Sequence, residues 1–206
     1  MDRFAEPTKH LIEKAIAEND GITVDYILPD KLSKKIEGYM SMAEDLKLCL
    51  YALDQFDMNR DKNLLLCLHY SLISLYGKCF MKASVDQYPK LEENECFKDL
   101  PSLMKIHMEL IEFRHHFVAH RGKTLNESFL PIFQINSINL DQSFKIKLMK
   151  KSAPDADKIL SYREIIKHLL EIIDVKREKA VSKAYRHLTK NYSPEKMNDL
   201  LLDRNK

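Results

Sequence analysis

The chain of 206 residues contains only four glycines and no tryptophan. The glycines are too far apart for a Gly-x-Gly-x-x-Gly fingerprint or a P-loop, which excludes nucleotide binding by a glycine-rich loop. The longest apolar stretch, residues 64–77, is shorter than the roughly 18 residues that a membrane-spanning helix needs. This stretch predicts a buried helix, and we expect no membrane partner.

Cysteine is also scarce, and no two cysteines form a Cys-x-x-Cys pair. The four are Cys49, Cys67, Cys79 and Cys96. Their spacing excludes a zinc ribbon and a thioredoxin-like motif, and it predicts reduced thiols in a cytoplasmic protein. Cys67 and Cys79 fall in an apolar helical stretch, so we expect both to be small core residues.

The charges nearly cancel, because 33 Lys and Arg residues face 31 Asp and Glu residues. That balance excludes a protein held to nucleic acid mainly by its overall charge, but it permits a local basic site. Hydrophobic residues make up 45% of the chain, which is enough to build a packed core. The N-terminal sequence has no apolar run of the kind found in signal peptides.

Apolar residues recur at spacings of three and four along most of the chain, as in helices that bury one face. Four main helices are predicted, over about 30–57, 61–83, 102–120 and from 161 onward. Asp30 is the predicted N-cap of the first, and Ser161 with Glu164 forms a capping box for the last. Because long helices with short connections favour antiparallel packing, we expect an all-α, up-and-down bundle.

Residues 128–150 break the helical pattern, because Phe144, Ile146 and Leu148 alternate with lysines. This period of two predicts a strand, with residues 129–135 as its partner in a β-hairpin insert. The lysines of this region are Lys145, Lys147, Lys150 and Lys151. They form either a solvated strand face or a strip that contacts RNA phosphates.

We expect one domain over residues 1–206, in which the hairpin is an insert. Residues 1–29 are predicted to hold a short helix, over 7–19, and a connector. Residues 84–101 read as a polar connector, and 193–206 as a short C-terminal helix.

Four of the eight histidines lie between residues 107 and 120. Imidazole exchanges protons near neutral pH, which makes this segment the candidate for acid–base chemistry. Within it, the sequence from Arg114 to His120 is RHHFVAH. This resembles the signature of the HEPN superfamily, in which an arginine and a polar residue precede a histidine by a few positions, late on a helix. The hairpin before the last helix is most similar to the abortive-infection branch.

The resemblance implies a metal-independent endoribonuclease without a cofactor, acting as a homodimeric toxin or phage-defence effector. It implies catalytic roles for Arg114 and His120, and substrate binding by His115, Arg121 and Lys123. Imidazole can accept the proton of an RNA 2′-hydroxyl, and a guanidinium can hold two oxygens of the charged transition state. Some members of the superfamily pair with a nucleotidyltransferase-type antitoxin, which is the protein partner implied here.

Six residues turn a helix by about 600°, about 120° short of two turns. Arg114 and His120 therefore point to different sides if the helix continues between them, and a two-fold dimer would bring both to a shared cleft. Three alternatives remain open from the sequence. In the first, His120 is a core-edge histidine bonded to a backbone carbonyl, and Arg114 forms a salt bridge with Glu109 or with a neighbouring helix. In the second, Glu112, His116 and His120 bind a metal. In the third, the bundle is a silent binding or regulatory module.

Overall fold

A computed structural model describes residues 28–56, 61–83, 88–115, 127–135, 142–150 and 154–191. Within these residues the chain forms five helices and one two-stranded sheet. The elements are α1 (Asp30–Asp54), α2 (Lys62–Lys78), α3 (Glu93–Phe97), α4 (Pro101–Phe113), β1 (Glu127–Ile135), β2 (Gln142–Lys150) and α5 (Ala156–Asn191). The predicted helices over 7–19 and from 193 lie outside the described residues.

The four longer helices share one apolar core, which confirms the mainly helical prediction. Leu46 of α1, Ile73 of α2, Leu110 of α4 and Ile165 of α5 are fully buried in it. Helix α1 packs against both α2 and α5, while α4 packs against α2 and α5. Of the helices described, none is both long enough and apolar enough to cross a bilayer.

Both predicted helix caps are wrong. Helix α1 follows Pro29, whose carbonyl accepts hydrogen bonds from the backbone N–H groups of Leu32 and Ser33 at 2.8 and 3.0 Å. Pro29 is therefore the cap, and Asp30 is already the first helical residue.

Helix α5 begins at Ala156, five residues before the predicted capping box. The Asp155 carboxylate accepts a hydrogen bond from the backbone N–H of Lys158 at 2.9 Å and caps the helix there. Ser161 lies inside the helix, where its hydroxyl donates to the Asp157 carbonyl. The short side chain of Asp155 satisfies a free N–H group of the first turn, so the helix begins upstream of Ser161.

The segment between α2 and α4 differs most from the prediction. Helix α2 ends at Lys78 rather than near residue 83, and the Leu91 backbone N–H donates to the Cys79 carbonyl at 2.9 Å. The returning chain then forms α3, where the sequence predicted a polar connector, and buries Cys96 and Phe97. Cys79 is buried as expected, whereas Cys67 is exposed, so its prediction as a core residue is wrong.

The predicted hairpin is confirmed. Strands β1 and β2 pair antiparallel, with Phe133 opposite Phe144 and their ring centroids 5.5 Å apart. Alternation places Phe133, Phe144 and Ile146 on one face and Lys145 on the other. The side chains of all four are exposed, so the described part of the apolar face of the hairpin is open to solvent.

Candidate functional site

A cleft of about 380 Å³ lies where the end of α2, the α2–α3 connection and α4 meet. Helix α4 contributes His107, and the following turn contributes Arg114 and His115. His107 and Arg114 are seven residues apart, or two helical turns, so both lie on the same side of the helix. The α2 side of the cleft carries Gly77 and Phe80.

Gly77 sets the position of the Arg114 side chain. A Cβ atom at residue 77 would collide with Arg114 Cδ and would lie 2.8 Å from Nε. The arginine therefore crosses α2 at the one residue of this helix without a side chain. Gly77 is the second-last residue of α2, and the absence of a Cβ there creates the space in which the Arg114 side chain lies.

Glu109 is not the partner of Arg114. Its carboxylate accepts hydrogen bonds from the Lys158 ammonium and from the Tyr162 hydroxyl, the latter at 3.1 Å. Among the residues that the structure describes, no carboxylate forms an ion pair with Arg114. A partly buried guanidinium in an open cleft is therefore available for an anion.

His107 is held by hydrogen bonds at both ring nitrogens. The Tyr76 hydroxyl lies 2.8 Å from Nδ1, and Glu93 Oε2 lies 3.3 Å from Nε2. A carboxylate can only accept, so Nε2 carries the hydrogen, and Nδ1 of the neutral ring accepts from Tyr76. The contacts fix both the tautomer and the ring plane of His107, and they attach Glu93 of α3 to α4.

Burial decides the charge state of this network. It lowers the pKa of His107, against the opposing effect of the Glu93 hydrogen bond. It also raises the pKa of the Tyr76 hydroxyl far above its usual range, so Tyr76 remains a proton donor. The side chain of His107 is 2% exposed and its lowered pKa favours the neutral ring, whereas the side chain of Glu93 is 53% exposed.

The structure describes two of the five predicted site residues. Arg114 and His115 line the cleft, in a helical turn of π type that follows α4. The other three, His120, Arg121 and Lys123, lie outside the described residues. His116 of the alternative metal site does too. Within the described part of the chain, no group of three His, Cys, Asp or Glu side chains could hold a metal ion.

Sequence reasoning missed His107, Glu93 and Tyr76 as members of the site. The signal for His107 was present, because it continues the buried stripe of Leu103 and Leu110 and precedes Arg114 by two turns. No comparable signal marks Glu93 or Tyr76, which meet His107 across 14 and 31 residues of sequence.

Comparison of the chain with protein-family models, with curated proteins and with solved structures finds no match.

Proposed function

We propose that the chain is a metal-independent endoribonuclease of HEPN type that cleaves RNA by attack of the 2′-hydroxyl. The observation that supports this best is Arg114, half-buried in an open cleft beside His107 and His115 and without a carboxylate partner among the described residues. An anion is the ligand that such a guanidinium takes, and a phosphodiester is an anion.

In this proposal Arg114 stabilises the negative charge that develops on the non-bridging oxygens of the scissile phosphate. One guanidinium can donate to two oxygens at once, and it stays protonated throughout. His120 accepts the proton of the 2′-hydroxyl, and His115 orients the substrate. Arg121 and Lys123 hold neighbouring phosphates.

The proposed assembly is a cytoplasmic homodimer of up-and-down helical bundles. It joins the two motif segments across the two-fold axis, so that His120 of one subunit works with Arg114 of the other. In the cell the protein acts as a toxin or phage-defence effector. A nucleotidyltransferase-type antitoxin is its proposed regulatory partner.

The test is cleavage of mixed RNA by the purified protein in excess EDTA. We expect cleavage to survive chelation. Arg114→Ala and His120→Ala should each lower the rate at least 100-fold, the usual cost of removing a charge-stabilising donor or a proton-transfer group. Arg114→Lys should recover only part of the rate, because an ammonium cannot hold two oxygens in the same plane.

Arg186→Ala is the matched control, since this exposed arginine of α5 donates to its own helix at the Ser182 carbonyl. It should cleave as the unaltered protein does. Cleavage abolished by EDTA would contradict the proposal. So would cleavage that persists in the Arg114 and His120 variants, because it would indicate a contaminating nuclease.

The second candidate is a catalytically silent HEPN bundle that binds protein or RNA in a regulatory role. The exposed apolar face of the hairpin favours it, because Phe144 and Ile146 are 71% and 68% exposed there. Absence of cleavage together with stable binding of RNA or of a protein partner would support this candidate.

A further inference from the structure

The cleft contains a carboxylate whose neighbours leave it with acceptor capacity. Glu93 Oε2 accepts one hydrogen bond from His107, and no cation pairs with Glu93 among the residues described. The adjacent Glu92 lines the same cleft but pairs with Lys90 at 3.2 Å. Of these two glutamates, only Glu93 is both fixed in place and without a positive partner, so it is the better acceptor for a ligand.

Two other features of the cleft complement this carboxylate. Arg114 supplies a guanidinium for an anionic group. Phe80 is partly exposed and contributes an aromatic ring, which packs tilted against the ring of His107 at a centroid distance of 4.4 Å. A ligand that fits all three carries an anion, a flat ring and N–H donors. A nucleotide has that composition, and aromatic stacking is a common way to hold an unpaired base.

We propose that this cleft is a mononucleotide site that selects guanine. Glu93 accepts hydrogen bonds from guanine N1–H and from the 2-amino group, the Phe80 ring packs against the base, and Arg114 binds the phosphate. The proposal rests on the proposed function and adds the base that the enzyme reads beside the scissile phosphate.

The choice of guanine follows from the base edges. Guanine presents two adjacent N–H donors, which match the acceptor-only carboxylate. Adenine and cytosine each place a ring nitrogen acceptor beside their amino group, and uracil flanks its single N–H with two carbonyl oxygens. A carboxylate facing any of these three bases forms at most one hydrogen bond. The neighbouring acceptor atom of the base also repels it. The size agrees, because about 380 Å³ is near the lower end of ligand pockets and suits one nucleotide.

The test is calorimetric titration of the full-length protein with guanosine 3′-monophosphate and with the adenosine, cytidine and uridine 3′-monophosphates. We expect the guanine nucleotide to bind most tightly. Inosine 3′-monophosphate, which lacks only the 2-amino group, should bind less tightly than the guanine nucleotide but more tightly than the uridine nucleotide. Glu93→Gln should weaken guanine binding about tenfold to a hundredfold, the range for losing hydrogen bonds to a charged group.

Glu92→Gln is the matched control, because it makes the same charge change in the same cleft. It should leave the guanine preference intact. Phe80→Leu should weaken binding of all four nucleotides, as should Arg114→Ala. Equal affinity for the four nucleotides, no binding, or a guanine preference that survives Glu93→Gln would each overturn the inference.

The nucleotide-binding and RNA-cleavage measurements distinguish failure of the guanine site from failure of the proposed nuclease. RNA cleavage without a guanine preference in the binding data would overturn only the inference. A Glu93-dependent preference for the guanine nucleotide, without any RNA cleavage, would support the site while contradicting the nuclease.

Discussion

Gly77 and Gly38 differ in what an added side chain would meet at each position. A Cβ at residue 77 would meet the Arg114 side chain, which can rotate away. A Cβ at residue 38 would collide with Cδ of Pro89 and lie 3.0 Å from Cγ, and that ring cannot rotate away. Replacing either glycine by alanine therefore tests a different property.

We expect Gly77→Ala to lower RNA cleavage without lowering the stability of the fold. Alanine favours the helix by up to about 1 kcal/mol, so the free energy of unfolding should stay the same or rise. Displacement of Arg114 should lower RNA cleavage towards the level of Arg114→Ala. Urea unfolding and the EDTA cleavage assay measure the two effects.

Gly38→Ala is the control for this substitution, because overpacking against Pro89 should lower the free energy of unfolding by about 1–3 kcal/mol. Cleavage by Gly77→Ala at the unaltered rate would contradict the role assigned to this glycine. A loss of stability in Gly77→Ala equal to that in Gly38→Ala would contradict it as well.

At the scale of the element, the hairpin exposes apolar side chains, whereas α4 buries them. Phe144 of β2 is 71% exposed, and Phe133 is its partner across the strands. Leu110 of α4 is fully buried in the shared core. Period-two alternation predicted the hairpin because neighbouring strands pair locally, but whether the apolar face is covered depends on residues far away in sequence.

We expect Phe144→Ser to change the free energy of unfolding of the helical core by less than about 0.5 kcal/mol. Leu110→Ala, the buried comparison, should cost about 2–5 kcal/mol because it leaves a cavity. Urea unfolding followed by far-UV circular dichroism measures both. A loss of more than 1 kcal/mol in Phe144→Ser would indicate that the hairpin face packs against the core.

At the scale of the whole molecule, His69 makes stability depend on pH. It is buried, with its ring stacked on Tyr162 at 6.1 Å and edge-on to Phe113 at 5.7 Å. Its Nε2 has no hydrogen-bond partner in the described part of the structure. Burial, reinforced by the charge of Lys158, lowers the pKa of His69 to about 4.

The sign of the pH effect follows from the two states of His69. The unfolded chain takes up a proton near pH 6.5, whereas the folded chain resists it down to about pH 4. The free energy of unfolding should therefore be highest above pH 6.5 and fall between about pH 6.5 and 4, by up to about 3 kcal/mol. His107, whose pKa is also lowered by burial, adds to the same trend.

His69→Phe should keep the ring packing and flatten this pH dependence, which urea unfolding at pH 7 and pH 5 measures. Removing an unsatisfied buried nitrogen should also stabilise the fold by about 1–3 kcal/mol, less any cost of the larger ring. His187→Phe, at an exposed position of α5, is the control and should leave the slope unchanged. If the free energy of unfolding changed equally with pH in His69→Phe and in the unaltered protein, the role assigned to His69 would be contradicted.

The four longer helices and the hairpin were predictable from the amino-acid sequence, because each follows from a local spacing of two to four residues, whereas the short helix α3 was not. Helix ends were less predictable, since Pro29 and Asp155 satisfied the free N–H groups where Asp30 and Ser161 had been expected to do so. Pro29 lies next to the predicted cap and Asp155 lies six residues before it, and the local pattern does not rank such competing caps.

The residues that line the cleft are brought together by the packing of the helices. Glu93 reaches His107 because the chain turns back after α2, and Arg114 lies on Gly77 because α2 and α4 pack together. These contacts join residues 14 and 31 positions apart along the chain in the His107 network. Contacts of that separation are set by the packing of whole helices, which a short sequence pattern does not encode.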